Sequence, residues 1–279
     1  MRRMENGAQN LSDSVLEAPR AGDPHPVLFL SPHFDDVALS CGGMAAACAE
    51  TEGAHIVTVF GGVPTAGTPE TPFAQSLLAD WGTPSFAAAV RLRRAEDEGA
   101  ARILGASLVT LPFVDGAFRG ATYRDWPALQ TVLASADADL PAQIADTVHA
   151  TGLLTSRTTL VGPLGVGRHV DHQAVFAALA LLAPAVACVW LYEDFPYAAW
   201  QTDAVRNRLA AVGLADAAPQ ALDIAPWLPT KIRAIECYAS QVPVLFPDTP
   251  MPDAVRAYTE AVAGGNGVAE RFWLLSNGM

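Results

Sequence analysis

A chain of 279 residues, 51% hydrophobic and only 16% charged, has the apolar mass for a sizeable core and excludes a disordered polypeptide. Its net charge of -12, with no basic cluster beyond "RLRRAEDEG", where acidic residues answer the arginines at once, speaks against a nucleic-acid binder and predicts a charged helix face. Cys41, Cys48, Cys188 and Cys237 form no CxxC pair, which predicts reduced, buried thiols and a cytoplasmic protein.

The stretch 1–24 opens with two arginines but contains no apolar h-region, so it reads as a flexible leader and not as a secretory signal. Residues 25–279 read as a single domain. Five short apolar runs follow in order: "PVLFLS", "AHIVTVF", "SLVTLPF", "TTLVGPL" and "ACVWLY". Continuous apolar runs of this length suit strands covered on both faces. Helix-length stretches lie between them, at 37–51, 86–104, 138–152 and 172–183. The clearest helix, "RLRRAEDEGAARILGA", has Gly105 where a C-terminal stop belongs. The alternation predicts an α/β fold, a mostly parallel sheet with helices on both faces. Past residue 200 come a helix near 202–212, the stretch "QALDIA", a helix over "WLPTKIRAIECYASQ", another near 252–263, and a last strand "RFWLLS". The stretches 63–85, Pro/Thr/Gly-rich over 63–72, and 113–127 are long enough to be substrate loops. The run from Ala174 to Leu191 carries no charge anywhere along it, but Pro184 divides it, which predicts a buried helix, a turn and a buried strand in place of a membrane span.

Ligands collect at the carboxyl ends of strands in such sheets, and polar clusters stand at three predicted strand ends. These are "SPHFDD" after the first, "GVGRHVDH" after the fourth and "YEDFPY" after the fifth. A catalytic Zn²⁺ takes three N or O ligands and keeps a position for water; His33, Asp36 and His172 can supply them. Asp35 is then free to take a proton from that water. His169 can protonate the departing amine or stabilise the oxyanion, with Asp171 orienting it. The competing structural reading makes Asp35 or Asp36 a helix cap and leaves His169 and His172 in a solvated loop.

"SPHFDDVALSCGG" resembles the metal-binding opening of the PIG-L/LmbE-like N-acetylglucosaminyl deacetylases, which carry HPDDE after the first strand and then a glycine pair. "RHVDH" resembles their HxDH motif, "RRAEDEGAARILGA" their RxxE–A–LG helix, and "KIRAIECYASQ" their late K–A–Y–SQ segment. The resemblance implies a Rossmann-like sheet, zinc or another divalent ion such as Fe²⁺ on His33, Asp36 and His172, and Asp35 as general base. It also implies His169 as the group that protonates the amine or stabilises the intermediate, with Asp171 as its partner. The implied reaction is attack of zinc-bound water on the acetamide of an N-acetylated amino sugar or its glycoside. A thiol-conjugate amidase or a deacetylase tailoring a glycosylated natural product would share these motifs, and a non-catalytic sugar-binding protein could share the fold. A small-molecule substrate is the expected partner, with a homo-oligomer left open.

The sequence departs from the pattern at Phe34, where proline is usual, and at Val37, where glutamate is usual; losing that polar neighbour predicts a changed substrate preference. Gly167 stands two residues before His169, where some members carry a tyrosine near the substrate, so that contact is absent here or comes from elsewhere. Arg93 is a candidate for a substrate hydroxyl or phosphate, with surface salt bridging as its competing role. Tyr192, Glu193 and Asp194 are candidates for the pocket wall. Gly42 and Gly43 are expected to allow close packing of the first helix. Lys231 and Gln241 are expected to be structural, and His25, His55 and His149 receive no role.

Overall fold

The computed structural model describes residues 26–201 and 203–275, so the expected leader at 1–24, and His25, lie outside the described residues. One sheet holds seven strands: β1 (Val27–Ser31), β2 (Ala54–Thr58), β3 (Ser107–Thr110), β4 (Thr159–Pro163), β5 (Cys188–Tyr192), β6 (Pro219–Asp223) and β7 (Ala269–Leu274). Their order is β3-β2-β1-β4-β5-β7-β6. The first five pair in parallel, and β7 and β6 close the far edge antiparallel. The five apolar runs thus are the five parallel strands, and the fold is the mostly parallel α/β sheet expected from them.

The chain connects these strands through α1 (Asp36–Thr51), α2 (Pro72–Asp80), α3 (Phe86–Leu104), α4 (Trp126–Leu129), α5 (Leu140–Ala150), α6 (Val170–Leu182), α7 (Tyr197–Trp200), α8 (Ala204–Ala211), α9 (Leu228–Glu236), α10 (Val242–Leu245) and α11 (Met251–Val262). One face of the sheet packs α1, α3, α9 and α11 through Phe29, Met44, Leu104, Ile235 and Val255. The other packs α5, α6 and α8 through Leu28, Ile144, Leu160, Leu179 and Leu209. A third, smaller cluster joins α2, the start of α3 and segment 117–133 through Leu77, Phe86, Phe118, Tyr123 and Leu129. That cluster packs residues of the two stretches expected to be substrate loops, Leu77 in 63–85 and Phe118 and Tyr123 in 113–127, against Phe86 and Leu129 just beyond them.

Local signals fix several element ends. Ser85 caps α3 by accepting the Ala88 N–H at 3.3 Å, and Gly105 ends that helix in the left-handed region at φ 74°. The uncharged run 174–191 resolves into α6, a 3₁₀ turn at Ala183–Ala185 and β5, and no helix among the described residues is long and apolar enough to cross a membrane. Helix α1 is broken at Cys41 (φ -139°, ψ 29°). The Glu270 carboxylate accepts the freed N–H groups of Gly43 and Met44 at 2.9 and 2.8 Å, and Lys231 neutralises it at 2.7 Å. A Cβ on Gly43 would stand 2.7 Å from Ile224, and one on Gly42 3.2 Å from Lys231. The glycine pair therefore admits α9 and the residue after β6, and Lys231 has the structural role expected of it.

Two expectations need correction. The charged residues of "RLRRAEDEG" do not all face solvent: Arg93, Glu96 and Asp97 are buried at 6%, 8% and 1% exposure. They form an inward i, i+3, i+4 stripe because each has a polar partner beyond the helix. The thiols of Cys41 and Cys48 are buried, whereas Cys188 and Cys237 are partly exposed.

Candidate functional site

Strand order reverses at β1, with β2 on one side and β4 on the other, so the carboxyl ends of β1 and β4 flank the crevice where such sheets bind ligands. The turn after β1 is tied from three sides. Ser31 Oγ donates to the His33 carbonyl at 2.6 Å and accepts the Val37 N–H at 3.1 Å. Asp36 Oδ2 accepts the His33 N–H at 2.7 Å. Tyr238, after α9, donates to the Phe34 carbonyl at 2.8 Å. The Asp35 side chain makes no cap hydrogen bond to α1, so the capping role is not the one it takes.

His33, Asp36 and His172 converge. His33 Nδ1 lies 3.3 Å from Asp36 Oδ2, His172 Nε2 lies 3.4 Å from the same oxygen, and the two ring nitrogens are 3.3 Å apart. A tetrahedral ion with bonds of about 2.0–2.1 Å separates its ligand atoms by about 3.3–3.4 Å, so the three atoms fit one face of a Zn²⁺ coordination shell. The surrounding charge points the same way. Burial pulls both imidazoles down, yet Asp115, Asp171 and Asp36 hold His33 well above its ordinary value, and Asp36 and Asp194 hold His172 above its own. Burial pushes Asp36 up, but His172 and His33 outweigh it and keep the carboxylate ionised. A field that favours two imidazolium ions equally favours a divalent cation on neutral imidazoles. His33, His169 and His172 also come within mutual reach, as do His33, Asp115 and Asp171. Asp171 is already engaged by an arginine and a backbone N–H, so the residues that could hold a divalent metal are the triangle of His33, Asp36 and His172, with His169 within reach of both histidines.

Each imidazole of that triangle has an outer partner. His172 Nδ1 stands 2.6 Å from Asp194 Oδ1, and Asp194 Oδ2 accepts the N–H groups of Gly165 and Val166 at 2.8 Å each. His33 Nε2 stands 3.0 Å from Asp171 Oδ2 and 3.7 Å from Asp115 Oδ2. Asp171 is held by the Gly116 N–H at 2.8 Å and by Arg119 at 2.7 Å. Burial raises the Asp171 carboxyl, but Arg119 and then His33 bring it far below the usual range. In the neutral rings that a bound cation requires, these carboxylates favour the proton on His33 Nε2 and His172 Nδ1, which would leave His33 Nδ1 and His172 Nε2 as lone-pair donors.

Three sequence expectations therefore change. Asp171 orients His33 in place of His169, because Arg119 and Gly116 draw its carboxylate that way. Asp194 serves His172 and the loop after β4, not the pocket wall. Tyr192 and Glu193 also turn away: Tyr192 donates to the Leu30 carbonyl at 3.1 Å beneath the sheet end. Glu193 holds Arg271 at 2.6 Å, Tyr258 at 2.6 Å and Trp273 at 3.2 Å.

The cleft itself is lined by His33, Asp35, Asp36, Arg93, Asp115 and His169, with Leu77, Trp81, Trp126, Tyr197, Gln241 and Leu245 among the walls. Arg93 is in the cleft and not on the surface: its guanidinium lies between the rings of Phe34 and Trp81, 5.3 and 4.9 Å from their centroids, and pairs with Asp35 at 3.1 Å. Burial raises the Asp35 carboxyl, Arg93 opposes that, and Asp36 adds to it. His169 goes the other way, held well below its ordinary value by burial and then by His33. Its Nδ1 accepts the Asp171 N–H at 3.2 Å, so the proton of the neutral ring sits on Nε2. Glu96 grips Ser240 through its N–H and Oγ at 2.8 and 2.7 Å, bringing Gln241, expected to be structural, to the cleft. Sequence reasoning missed Asp115, Arg119, Trp81, Trp126 and Tyr197; the only trace of them was the length of two loops and the strand-end cluster "YEDFPY". His55 pairs with Ser107 at 2.6 Å, away from this site.

Comparison with known proteins adds the following. The PIG-L family model, GlcNAc-PI de-N-acetylase, matches residues 28–183. A 2'-N-acetylparomamine deacetylase of Streptomyces fradiae is 33% identical over 231 residues, covering 77% of this chain and 72% of that protein. A deacetylase from the biosynthesis pathway of teicoplanin, solved as a bog complex, superposes with a TM-score of 0.73 at 28% identity, over 89% of this chain and 97% of that one. The zinc-inhibited form of a teicoplanin deacetylase superposes at 0.72 with 26% identity and the same two coverages.

Proposed function

This chain belongs to the PIG-L family of GlcNAc-PI de-N-acetylases, and from that premise we propose that it is a zinc-dependent N-deacetylase acting on an N-acetylated amino sugar joined to a further ring. The observation that carries the reading is the triangle of His33 Nδ1, Asp36 Oδ2 and His172 Nε2, with edges of 3.3–3.4 Å and a carboxylate outside it at Asp35. His33, Asp36 and His172 would hold the ion, which supplies Lewis acidity to a water and to the amide carbonyl.

The remaining chemistry belongs to the side chains. Asp35 accepts the proton of the attacking water; its burial suits it to hold that proton, and Arg93 keeps the carboxylate aimed into the cleft. The same proton is the one the departing amine needs, so a single carboxyl serves as base and then as acid, and acetate and a free amine leave. His169 is neutral with its proton on Nε2, which suits a hydrogen-bond donor to the developing oxyanion better than a general acid. Of its two expected roles, the oxyanion contact is therefore favoured.

The substrate class follows from the walls. Trp81 and Leu77 from α2 and the turn after it, and Trp126 from α4, make an apolar side to an otherwise acidic cleft. Trp126 is 46% exposed and packs edge-on against Phe73 at 5.5 Å, which offers a flat surface to a ring beyond the acetylated sugar. The 2'-N-acetylparomamine deacetylase of Streptomyces fradiae supports an N-acetylated amino-sugar compound as the substrate. A conjugate of the teicoplanin kind is the second reading, favoured by the exposed Val244 beside Leu245 of the cleft wall.

A panel of N-acetylglucosamine, N-acetylglucosaminyl two-ring glycosides, N-acyl glycopeptides and thiol-conjugate amides tests this directly. Acetate release should be fastest from the two-ring glycosides and lost on chelation. No acetate from any member with metal-replete protein would reject the proposal.

A further inference from the structure

The loop after β4 and the segment after β5 meet at one point of the cleft wall. Asp194 fastens them through its bonds to Gly165 and Val166, and the next turn carries Tyr197 back across Gly167. A Cβ on Gly167 would stand 2.7 Å from Tyr197 Cγ and 2.8 Å from Cδ1, so the ring occupies the space a side chain at 167 would require. Gly167 also has φ +82°, a conformation that glycine adopts without strain. The Tyr197 ring meets His172 edge-on, with centroids 5.9 Å apart and planes at 89°, and lines the same cleft as Asp35 and His169.

Its hydroxyl makes no hydrogen bond to any described residue. A phenol packed along its ring ordinarily finds a partner for its O–H, and here the open side is the cleft. A phenol carries its proton at neutral pH and can donate it to a carbonyl or anionic oxygen. The ring rests on His172 and lines the cleft with Asp35, Asp36 and His169, which places the residue at the end of the cleft that holds these groups.

We propose that the Tyr197 hydroxyl is a catalytic hydrogen-bond donor to the acyl oxygen of the bound amide, entering from the β5 side into the space left by glycine at 167. The inference rests on the deacetylase reading. It supplies from elsewhere the tyrosine contact that the sequence lacks two residues before His169.

Tyr197→Phe removes one oxygen and tests it. Expected are unchanged metal content and melting temperature, and a kcat for N-acetylglucosaminide hydrolysis lower by a factor of about 100 with little change in KM, as for loss of one oxyanion donor. Wild-type kcat/KM in the variant, a rise in KM alone, or loss of bound metal would each overturn the assignment. If wild-type protein releases no acetate from any N-acetyl amino sugar, the deacetylase reading fails by itself. Calorimetry with a methylphosphonamidate of glucosamine, a tetrahedral analogue of the acetamide, on metal-loaded wild type and variant then tests the hydroxyl separately: weaker binding by the variant supports a contact with the oxyanion, and equal affinities overturn it.

Discussion

Replacing Asp194 with Asn keeps the shape of the side chain and exchanges one oxygen for an NH₂ group, and neither orientation of the amide can satisfy the site. With NH₂ toward the loop, it faces the Gly165 and Val166 N–H groups that now end on Oδ2 at 2.8 Å. Two buried donors then lose their acceptor, at about 1–3 kcal/mol each. With NH₂ toward His172, it faces the Nδ1 that now lies 2.6 Å from Oδ1. The imidazole proton must then move to Nε2, the atom whose lone pair completes the triangle with Asp36 and His33. Loss of such an outer partner typically weakens metal binding by about 10–100-fold, or about 1.4–2.8 kcal/mol. Competition against a chromophoric chelator measures that affinity, and kinetics at saturating metal measure KM separately. We expect weakened metal binding with KM preserved once the ion is restored. Metal affinity within threefold of wild type together with a raised KM would refute the reasoning and return Asp194 to the role of a substrate contact.

Other outcomes follow from the same geometry. Asp35→Ala should retain metal and lose turnover by about 10²–10⁴-fold, the usual worth of a general base; ordinary acetate release by the variant would sink the mechanism. Gly43→Ala forces a Cβ to 2.7 Å from Ile224 and should destabilise by about 1–3 kcal/mol, read as a shift in urea midpoint at unchanged slope. Asp97 gives a pH signature: burial raises its carboxyl to about 7, with Thr58 and Tyr238 opposing. Because the folded value exceeds the unfolded value of about 3.9, its contribution is complete below pH 4 and is lost as pH rises through 7. Stability profiles of wild type and Asp97→Asn should therefore diverge between pH 4 and 7, with the variant flatter; parallel profiles would show that Asp97 titrates normally.

The parallel half of the sheet was legible because each strand is a continuous apolar run covered on both faces, a pattern that leaves few alternatives. Of the antiparallel edge, β7 was legible as the last strand "RFWLLS", but β6 was not. β6, "PQALD", buries only Leu222, so no hydrophobic period marks it, and its place in the sheet depends on pairing with β7, a partner far along the chain. The α3 stripe failed for a different reason. Arg93, Glu96 and Asp97 have the spacing of a solvated charged face, and only partners far along the chain, Asp35, Ser240, Thr58 and Tyr238, turn that face inward. Helical periodicity reports which residues share a face but not what that face meets.

The site divides along the same line. His33, Asp35 and Asp36 lie within one turn, and the i, i+3 pair of His169 and His172 opens one helix, so local spacing brought them into view. The aim of Asp171 was not local: it follows from Arg119, which arrives in the segment before α4 and pulls the carboxylate toward His33. The departures from the family pattern can be weighed in the same way. Phe34 is buried at 3% exposure with its ring against the Arg93 guanidinium, so in place of proline it contributes to the clamp that holds Asp35. Val37 is 1% exposed and packs within the α1 face of the core, not in the cleft. A polar group lost there changes the packing behind the turn, and the altered substrate preference expected from Val37 has no contact to act through. The walls that a substrate would meet are instead built from separate segments, at Trp81, Trp126 and Tyr197, which line one cleft with His33, Asp35 and Asp36 and which no single stretch of sequence brings together.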